Sequence, residues 1–121
     1  MSEQIYFFDT YAFFEIIRGS FSYEKYKDAH AITTVFNMAE LNYNLKKEVG
    51  SKIADKYTDM FKDFVMEVTL EDIKKAISLK VKKKHLSIPD AVGYVISQKY
   101  KVKFLTGDSD FEGMPNVEYV K

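Results

Sequence analysis

The chain has 121 residues with 18 basic and 18 acidic side chains, so its formal net charge is zero and a broad basic surface for nucleic acid is not indicated. Cysteine is absent, which excludes disulfides, thiolate metal sites and cysteine nucleophiles. No apolar run approaches the roughly 20 residues that span a bilayer and no signal peptide is recognised, so we expect one cytoplasmic domain over residues 1–121 without a membrane partner.

The first third of the chain predicts two short strands separated by helices. The apolar run at residues 5–8 is typical of a strand buried on both faces. Residues 11–18 predict a helix that ends at Gly19, with Asp9 or Thr10 as its N-cap. A short helix is expected at residues 21–28, and a second strand at residues 29–33.

Two helices are predicted in the middle of the chain. The first covers residues 35–48, with Thr33 or Thr34 as its cap and Gly50 at its end. The second begins at Ser51, and its apolar residues recur at helical spacing as far as Phe64.

The remaining sequence continues the alternation of strand and helix. A third strand is predicted at residues 64–68, a fourth at 102–106 and a short final one at 116–120. Capping signals open the two intervening helices, the first at Thr69 and the second at Ser87 with Pro89 in its first turn. This alternation predicts an α/β fold with a mainly parallel central sheet of four to five strands.

Five carboxylates lie at the strand–helix junctions of this predicted fold. Asp9 follows the first strand, Glu40 lies about a turn into the helix after the second, Asp90 is in a first helical turn, and Asp108 and Asp110 follow the fourth strand. If these junctions share one edge of a parallel sheet, the carboxylates converge. Because neighbouring like charges raise each other's pKa, a hard divalent cation such as Mg²⁺ or Mn²⁺ is the natural counter-charge.

Other polar side chains are candidates for supporting roles. The hydroxyls of Thr10 and Thr106 are placed to orient metal ligands or waters. Lys46, Lys82 and Lys83 are candidate contacts for the phosphates of a substrate. For the lysine run, the alternative is a solvated helix C-terminus, where cations complement the helix dipole.

The acidic motifs occur in the order and spacing of a known nuclease family. The segments that match these motifs are Phe8-Asp9-Thr10, Glu40 within residues 37–41, Pro89-Asp90-Ala91, and residues 105–111. Together they resemble PIN-domain nucleases, and the compact length resembles the VapC toxins. The resemblance implies a three-layer α/β/α fold and an Mg²⁺- or Mn²⁺-dependent endoribonuclease that leaves a 5′-phosphate. It also implies an antitoxin protein as partner and a homodimer.

The resemblance further implies roles for individual residues. Asp9, Glu40, Asp90 and Asp108 match the catalytic acidic quartet, and Asp110 matches an additional acidic position. Asp9, Asp90, Asp108 and Asp110 are therefore the expected metal ligands, while Glu40 binds the ion through water or positions the attacking water. Many toxin-type members have asparagine where Asp108 stands, so the division of work between Asp108 and Asp110 is open.

Three other functions are alternatives to the nuclease. A receiver-like signalling domain needs an acidic pair after the first strand, whereas Phe8 precedes Asp9 here, and residues 65–69 lack its phosphoacceptor aspartate. A haloacid-dehalogenase-type phosphatase needs an aspartate where Tyr11 stands. A PIN-fold module that docks RNA or protein without cleavage stays open, because fold alone does not decide activity.

Overall fold

Four parallel strands form the centre of the molecule in the computed structural model, which describes residues 4–121. The strand order is β2-β1-β3-β4, and each neighbouring pair is parallel. The strands are β1 (Ile5–Phe8), β2 (His30–Ile32), β3 (Lys103–Thr106) and β4 (Val117–Tyr119). Since β1 and β3 are adjacent and central, their carboxyl ends lie side by side at one edge of the sheet.

Helices cover both faces of this sheet, which confirms the predicted three-layer α/β/α architecture. They are α1 (Thr10–Arg18), α2 (Val35–Val49), α3 (Ser51–Met60), α4 (Leu70–Lys82) and α5 (Ile88–Lys99). Short 3₁₀ helices are present at Phe21–Tyr26, Lys62–Phe64 and Ser109–Phe111. None of the helices within residues 4–121 is long and apolar enough to cross a membrane.

Alternation along the strands divides the core into two apolar clusters. Phe8 points into the cluster under α1, α2 and α3, where it meets Phe13 and Leu41. Phe7 points to the opposite face, where it stacks on Phe104 at a ring-centroid distance of 5.2 Å beneath α5. The residue that follows them, Asp9, is therefore fixed between two packed layers.

The approach of α5 to the sheet depends on a glycine. A Cβ atom at Gly93 would lie 2.9 Å from two ring carbons of Phe7, closer than real Cβ contacts. Gly93 thus lets the first turns of α5 pack directly on β1. This packing brings the N-terminus of α5, with Asp90, to the end of β1.

Two predicted elements are wrong in part. Residues 64–68 do not form a strand, because Phe64 ends a 3₁₀ turn and only Val65 makes a parallel bridge, to Thr33. The helix that starts at Ser51 ends at Met60 rather than continuing to Phe64. The apolar residues are partly buried in both cases: Phe61, Phe64 and Val65 pack against the cluster under α1 and α2, and Val68 packs against the cluster beneath α5.

Candidate metal centre

Three carboxylates meet where β1, β3 and α5 converge. Asp9, Asp90 and Asp108 each offer an oxygen, and these oxygens lie within 4.8 Å of one another. Asp9 follows β1 directly, Asp108 lies two residues beyond β3, and Asp90 is in the first turn of α5. The parallel pairing of β1 with β3 is what places the first two side by side.

Asp9 is buried and held by neutral donors. Its side chain is 3% exposed, and although it occupies the N-cap position of α1, it makes no capping hydrogen bond. Instead, the Thr106 hydroxyl donates to Oδ2 at 2.7 Å, and the Asn37 amide donates to Oδ1 at 3.5 Å. The side chain is therefore directed toward the site rather than toward its own helix.

Asp90 is both a helix cap and a member of the cluster. The Ser87 N–H donates to its Oδ2 at 3.1 Å, while the Asp90 N–H donates to the Ser87 hydroxyl at 3.1 Å. This capping box fixes the carboxylate in the first turn of α5. The cap thereby determines the orientation in which Asp90 faces Asp9 and Asp108.

Hydrogen bonds to the Thr106 hydroxyl and to the Asp108 carboxylate order the loop that follows β3. The Asp108 N–H donates to the Thr106 hydroxyl at 3.1 Å, and Asp108 Oδ1 accepts from the Asp110 N–H at 3.0 Å. Asp110 is exposed and lies outside the group of three, although its charge contributes to the raised pKa of Asp90.

Glu40 also lies outside the group of three but faces it. It is partly buried, and the Thr10 hydroxyl donates to its Oε1 at 2.9 Å. Its pKa is raised by burial and, to a lesser extent, by the charges of Asp90 and Asp108. Thr10 and Thr106 therefore each orient one carboxylate of the site.

Within residues 4–121, no described ion pair joins Asp9, Asp90 or Asp108 to a cationic side chain. Burial, and then the charge of Asp90, raises the pKa of Asp9 to about 8, and the hydrogen bond from Thr106 opposes that rise. Burial likewise raises the pKa of Asp90, assisted by Asp108 and Asp110. An all-oxygen acidic set, in which Asp9 is buried and Asp90 and Asp108 are half-buried, fits a hard divalent cation such as Mg²⁺ or Mn²⁺.

Gly107 leaves no room for a side chain at the rim of this site. A Cβ atom there would lie 2.3 Å from the Val120 carbonyl oxygen and 2.4 Å from a ring carbon of Tyr11. The ring of Tyr11 therefore lies in the space that a side chain at position 107 would need. Any larger residue at this position would require Tyr11 or the Val120 backbone to shift.

The three lysines suggested by the sequence make no described contact with the carboxylate cluster. Lys46 pairs with Asp55 at 3.2 Å, across the α2–α3 hairpin. Lys82 is exposed, and Lys83 lines a cavity of about 690 Å³ formed mainly by α4 and α5. That cavity is lined by none of the three clustered carboxylates.

Asn37 is the site residue that the sequence reasoning missed. It is fully buried, and its amide nitrogen lies 3.2 Å from the Thr10 hydroxyl oxygen and 3.5 Å from Asp9 Oδ1. Its spacing from Glu40 could have identified it. Residues three apart share a face of a helix, and Asn37 precedes Glu40 by three residues on α2.

Comparisons with known proteins agree with this architecture. The PIN domain family model matches residues 6–117. No curated protein matches the chain at a significant level. Among solved structures, a toxin-antitoxin complex from Klebsiella pneumoniae contains a chain with 20% identity and a TM-score of 0.73, over 92% of this chain and 93% of that one.

A second solved structure is VapBC2 from Rickettsia felis bound to a DNA fragment from its promoter. The similarity there has a TM-score of 0.71 at 16% identity, over 98% of this chain and 100% of that one. At these identities the two structures establish a shared fold. The family match, which extends from β1 to the start of β4, carries the assignment: this chain belongs to the PIN domain family.

Proposed function

We propose that the protein is an Mg²⁺- or Mn²⁺-dependent endoribonuclease and the toxin of a VapBC-like toxin-antitoxin pair. The observation that carries the proposal is the convergence of Asp9, Asp90 and Asp108 within 4.8 Å. Membership of the PIN domain family supports nuclease chemistry. The two structural neighbours described above, both toxin-antitoxin complexes by their descriptions, support the toxin assignment.

In this proposal the carboxylates would bind a divalent cation through oxygen. Asp9, Asp90 and Asp108 would provide the ligands, and we propose that Asp110, two residues after Asp108, shares that role. The bound ion supplies Lewis acidity, which lowers the pKa of a water and neutralises charge on the phosphodiester. Thr106 holds Asp9 in its ligand orientation through the hydrogen bond to Oδ2.

Glu40 is the proposed acceptor of the proton from the attacking water. The hydroxyl of Thr10 occupies Oε1, which leaves Oε2 for that proton. The water oxygen forms a bond to phosphorus and the bond to the 3′ oxygen breaks. The products are a 5′-phosphate and a 3′-hydroxyl, which takes up a proton from solvent.

We also propose an antitoxin protein and a second copy of the chain as partners. The descriptions of the two neighbouring structures support the antitoxin, and the homodimer follows from the resemblance to VapC toxins. Lys82 and Lys83 are the proposed RNA contacts, because both are exposed. Lys46 is less suited to phosphate, since Asp55 already pairs with it.

The substitution Asp9→Asn tests the function. We expect it to reduce cleavage of a structured RNA in millimolar Mn²⁺ by about 100-fold or more, because it removes a ligand charge at the centre of the cluster. Asp59→Asn, in an exposed residue of α3, is the matched control and should cleave like the wild type. Cleavage is measured by product formation on gels, and folding by circular dichroism.

Undiminished cleavage by a folded Asp9→Asn variant would contradict the nuclease proposal. A wild-type protein that binds Mn²⁺ but cleaves none of a panel of structured RNAs would favour the docking module instead.

A further inference from the structure

A single buried amide connects two carboxylates of the proposed site. Asn37 is fully buried, and its nitrogen contacts both Asp9 Oδ1, at 3.5 Å, and the Thr10 hydroxyl oxygen, at 3.2 Å. The Thr10 hydroxyl in turn donates to Glu40 Oε1 at 2.9 Å. Asn37 thus reaches Asp9 directly and Glu40 through one intermediate.

Thr34 fixes the orientation of the Asn37 amide and thereby the direction of this hydrogen-bond chain. The Thr34 hydroxyl donates to Asn37 Oδ1 at 2.7 Å, and it accepts from the Asn37 backbone N–H at 3.3 Å. With its oxygen occupied by a donor, the amide must turn its two N–H groups toward Asp9 and Thr10. Thr10 then accepts from the Asn37 amide, and the shorter of the two contacts open to its own proton is Glu40 Oε1, at 2.9 Å, compared with 3.4 Å to the Asn37 carbonyl oxygen.

The donor is neutral, and this matters for a cation site. A lysine or arginine at this position would also orient the carboxylates, but its charge would repel a divalent ion. An amide supplies directional hydrogen bonds without that charge. Burial makes the bonds costly to lose, because an unpaired polar group in the interior is destabilising.

We propose that Asn37 is a positioning residue that holds Asp9 in its metal-binding orientation and, through Thr10, holds Glu40 in its proton-accepting orientation. This inference rests on the proposed function. It predicts two separable effects, one on metal affinity through Asp9 and one on turnover through Glu40. Among the described hydrogen bonds, the path through Asn37 and Thr10 is the one that joins Asp9 to Glu40.

The test measures Mn²⁺ affinity by calorimetry in the absence of RNA. Asn37→Leu keeps the branching at Cγ but removes the hydrogen bonds, and we expect its Mn²⁺ Kd to rise about tenfold or more. Asn42→Leu is the control on the same helix, since Asn42 donates to Asp55 and Thr58 on α3. That control should lower Tm without changing the Mn²⁺ Kd.

The predicted effect on turnover is tested with variants of Thr10. We expect Thr10→Val, which removes only the hydroxyl, to lower kcat about tenfold with less than about a threefold change in Mn²⁺ Kd. Thr10→Ser keeps the hydroxyl and should restore kcat. In the double variant of Asn37 and Thr10, the loss of kcat should be smaller than the product of the single losses, because both act on Glu40. If Asn37→Leu fails to fold, Asn37→Ser replaces it.

Each outcome decides the inference. A folded Asn37 variant with the wild-type Mn²⁺ Kd overturns the role of Asn37 while leaving the nuclease proposal intact. A wild type that binds Mn²⁺ without cleaving RNA overturns the proposed function, whereas a raised Kd in Asn37→Leu still supports the link to Asp9. A wild type without Mn²⁺ binding overturns both.

Discussion

Helices α4 and α5 begin with the same local structure and differ in what the fold places beside it. At α4, the Thr69 N–H donates to Asp72 at 2.9 Å, and the Asp72 N–H donates back to the Thr69 hydroxyl at 3.1 Å. At α5, Ser87 and Asp90 make the same reciprocal pair, with both bonds at 3.1 Å. Both aspartates therefore satisfy the N-terminus of a helix.

Their electrostatic surroundings are opposite. Lys99 Nζ lies 3.0 Å from Asp72, and the hydrogen bond from the Thr69 N–H together with this lysine lowers the pKa of Asp72. Asp90 faces Asp108 and Asp110 instead, and burial together with those charges raises its pKa. Of these two caps, Asp90 is the one without a described cationic partner, which makes it, and not Asp72, the candidate metal ligand.

Helix α5 contributes to both environments. Its first turn carries Asp90 into the acidic cluster, and its last residue, Lys99, compensates Asp72 at the start of α4. The packing of α4 against α5 therefore places Lys99 beside Asp72 at the start of α4, while Asp90 lies at the other end of α5. A structural cap and a candidate metal ligand are thus distinguished by partners that are distant in sequence.

The largest expected difference between the two caps is in catalysis. Asp90→Asn should reduce RNA cleavage by about 100-fold or more, because asparagine retains the capping acceptor but not the ligand charge. Asp72→Asn should cleave within about twofold of the wild type, since Asp72 lies outside the cluster. Initial cleavage rates in Mn²⁺ give the measurement, and equal losses in the two variants would mean that both act through stability alone.

A smaller difference is expected in the thermal response to metal. A ligand at 100 times its Kd stabilises the folded state by about 2.7 kcal/mol, which corresponds to a Tm rise of about 10 °C for a chain of this size. We expect this rise for the wild type and for Asp72→Asn, and about 3 °C or less for Asp90→Asn. Scanning calorimetry with and without Mn²⁺ measures it, and a full rise in Asp90→Asn would remove Asp90 from the metal site.

The smallest effect is the opposite pH dependence of stability without metal. The pKa of Asp9 is raised from 3.8 to about 8. At a pH between these two values, the folded state keeps the Asp9 proton that the unfolded chain has lost. Stability from this group therefore falls as pH rises from about 4 to about 8. For Asp72 the pKa is lowered, so its contribution is present at neutral pH and is lost as pH falls below about 4.

The corresponding experiment records Tm in EDTA at pH 5.5 and pH 8. The wild type and Asp72→Asn should each lose about 5 °C or more over this interval. Asp9→Asn should lose much less, because it cannot release a proton from that position. A wild-type Tm that is flat or rising over this interval would contradict the raised pKa of Asp9.

Much of the fold follows from local patterns that the sequence displays. The strands at residues 5–8 and 102–106, the caps at Thr69 and Ser87, and the break at Gly50 were all predicted from short windows. The strand predicted at residues 64–68 failed, because the same apolar spacing fills the space beside Thr33 without extending the sheet. Short apolar runs do not distinguish a strand from a packed turn.

Short sequence windows also predicted the positions of the candidate metal-binding acids. Asp9 and Asp108 follow buried strands, and Asp90 follows a serine and a proline that begin a helix, so local chemistry alone places each at a junction. Asn37 was not identified, because its role depends on contacts with Asp9 and Thr10, which are 28 and 27 residues away. Spacing on one helix does not reveal a partner on another element.

The sequence by itself therefore determined which residues stand at strand ends and helix starts, because those features depend on backbone hydrogen bonds and caps within a few residues. Only the tertiary structure decided which capping aspartate meets a lysine and which meets other acids. The Asp72–Lys99 contact joins residues 27 apart, and the Asp9–Thr106 contact joins residues 97 apart. Charge balance at each cap is a sum over such distant neighbours, so it is settled only when the helices and the sheet have packed.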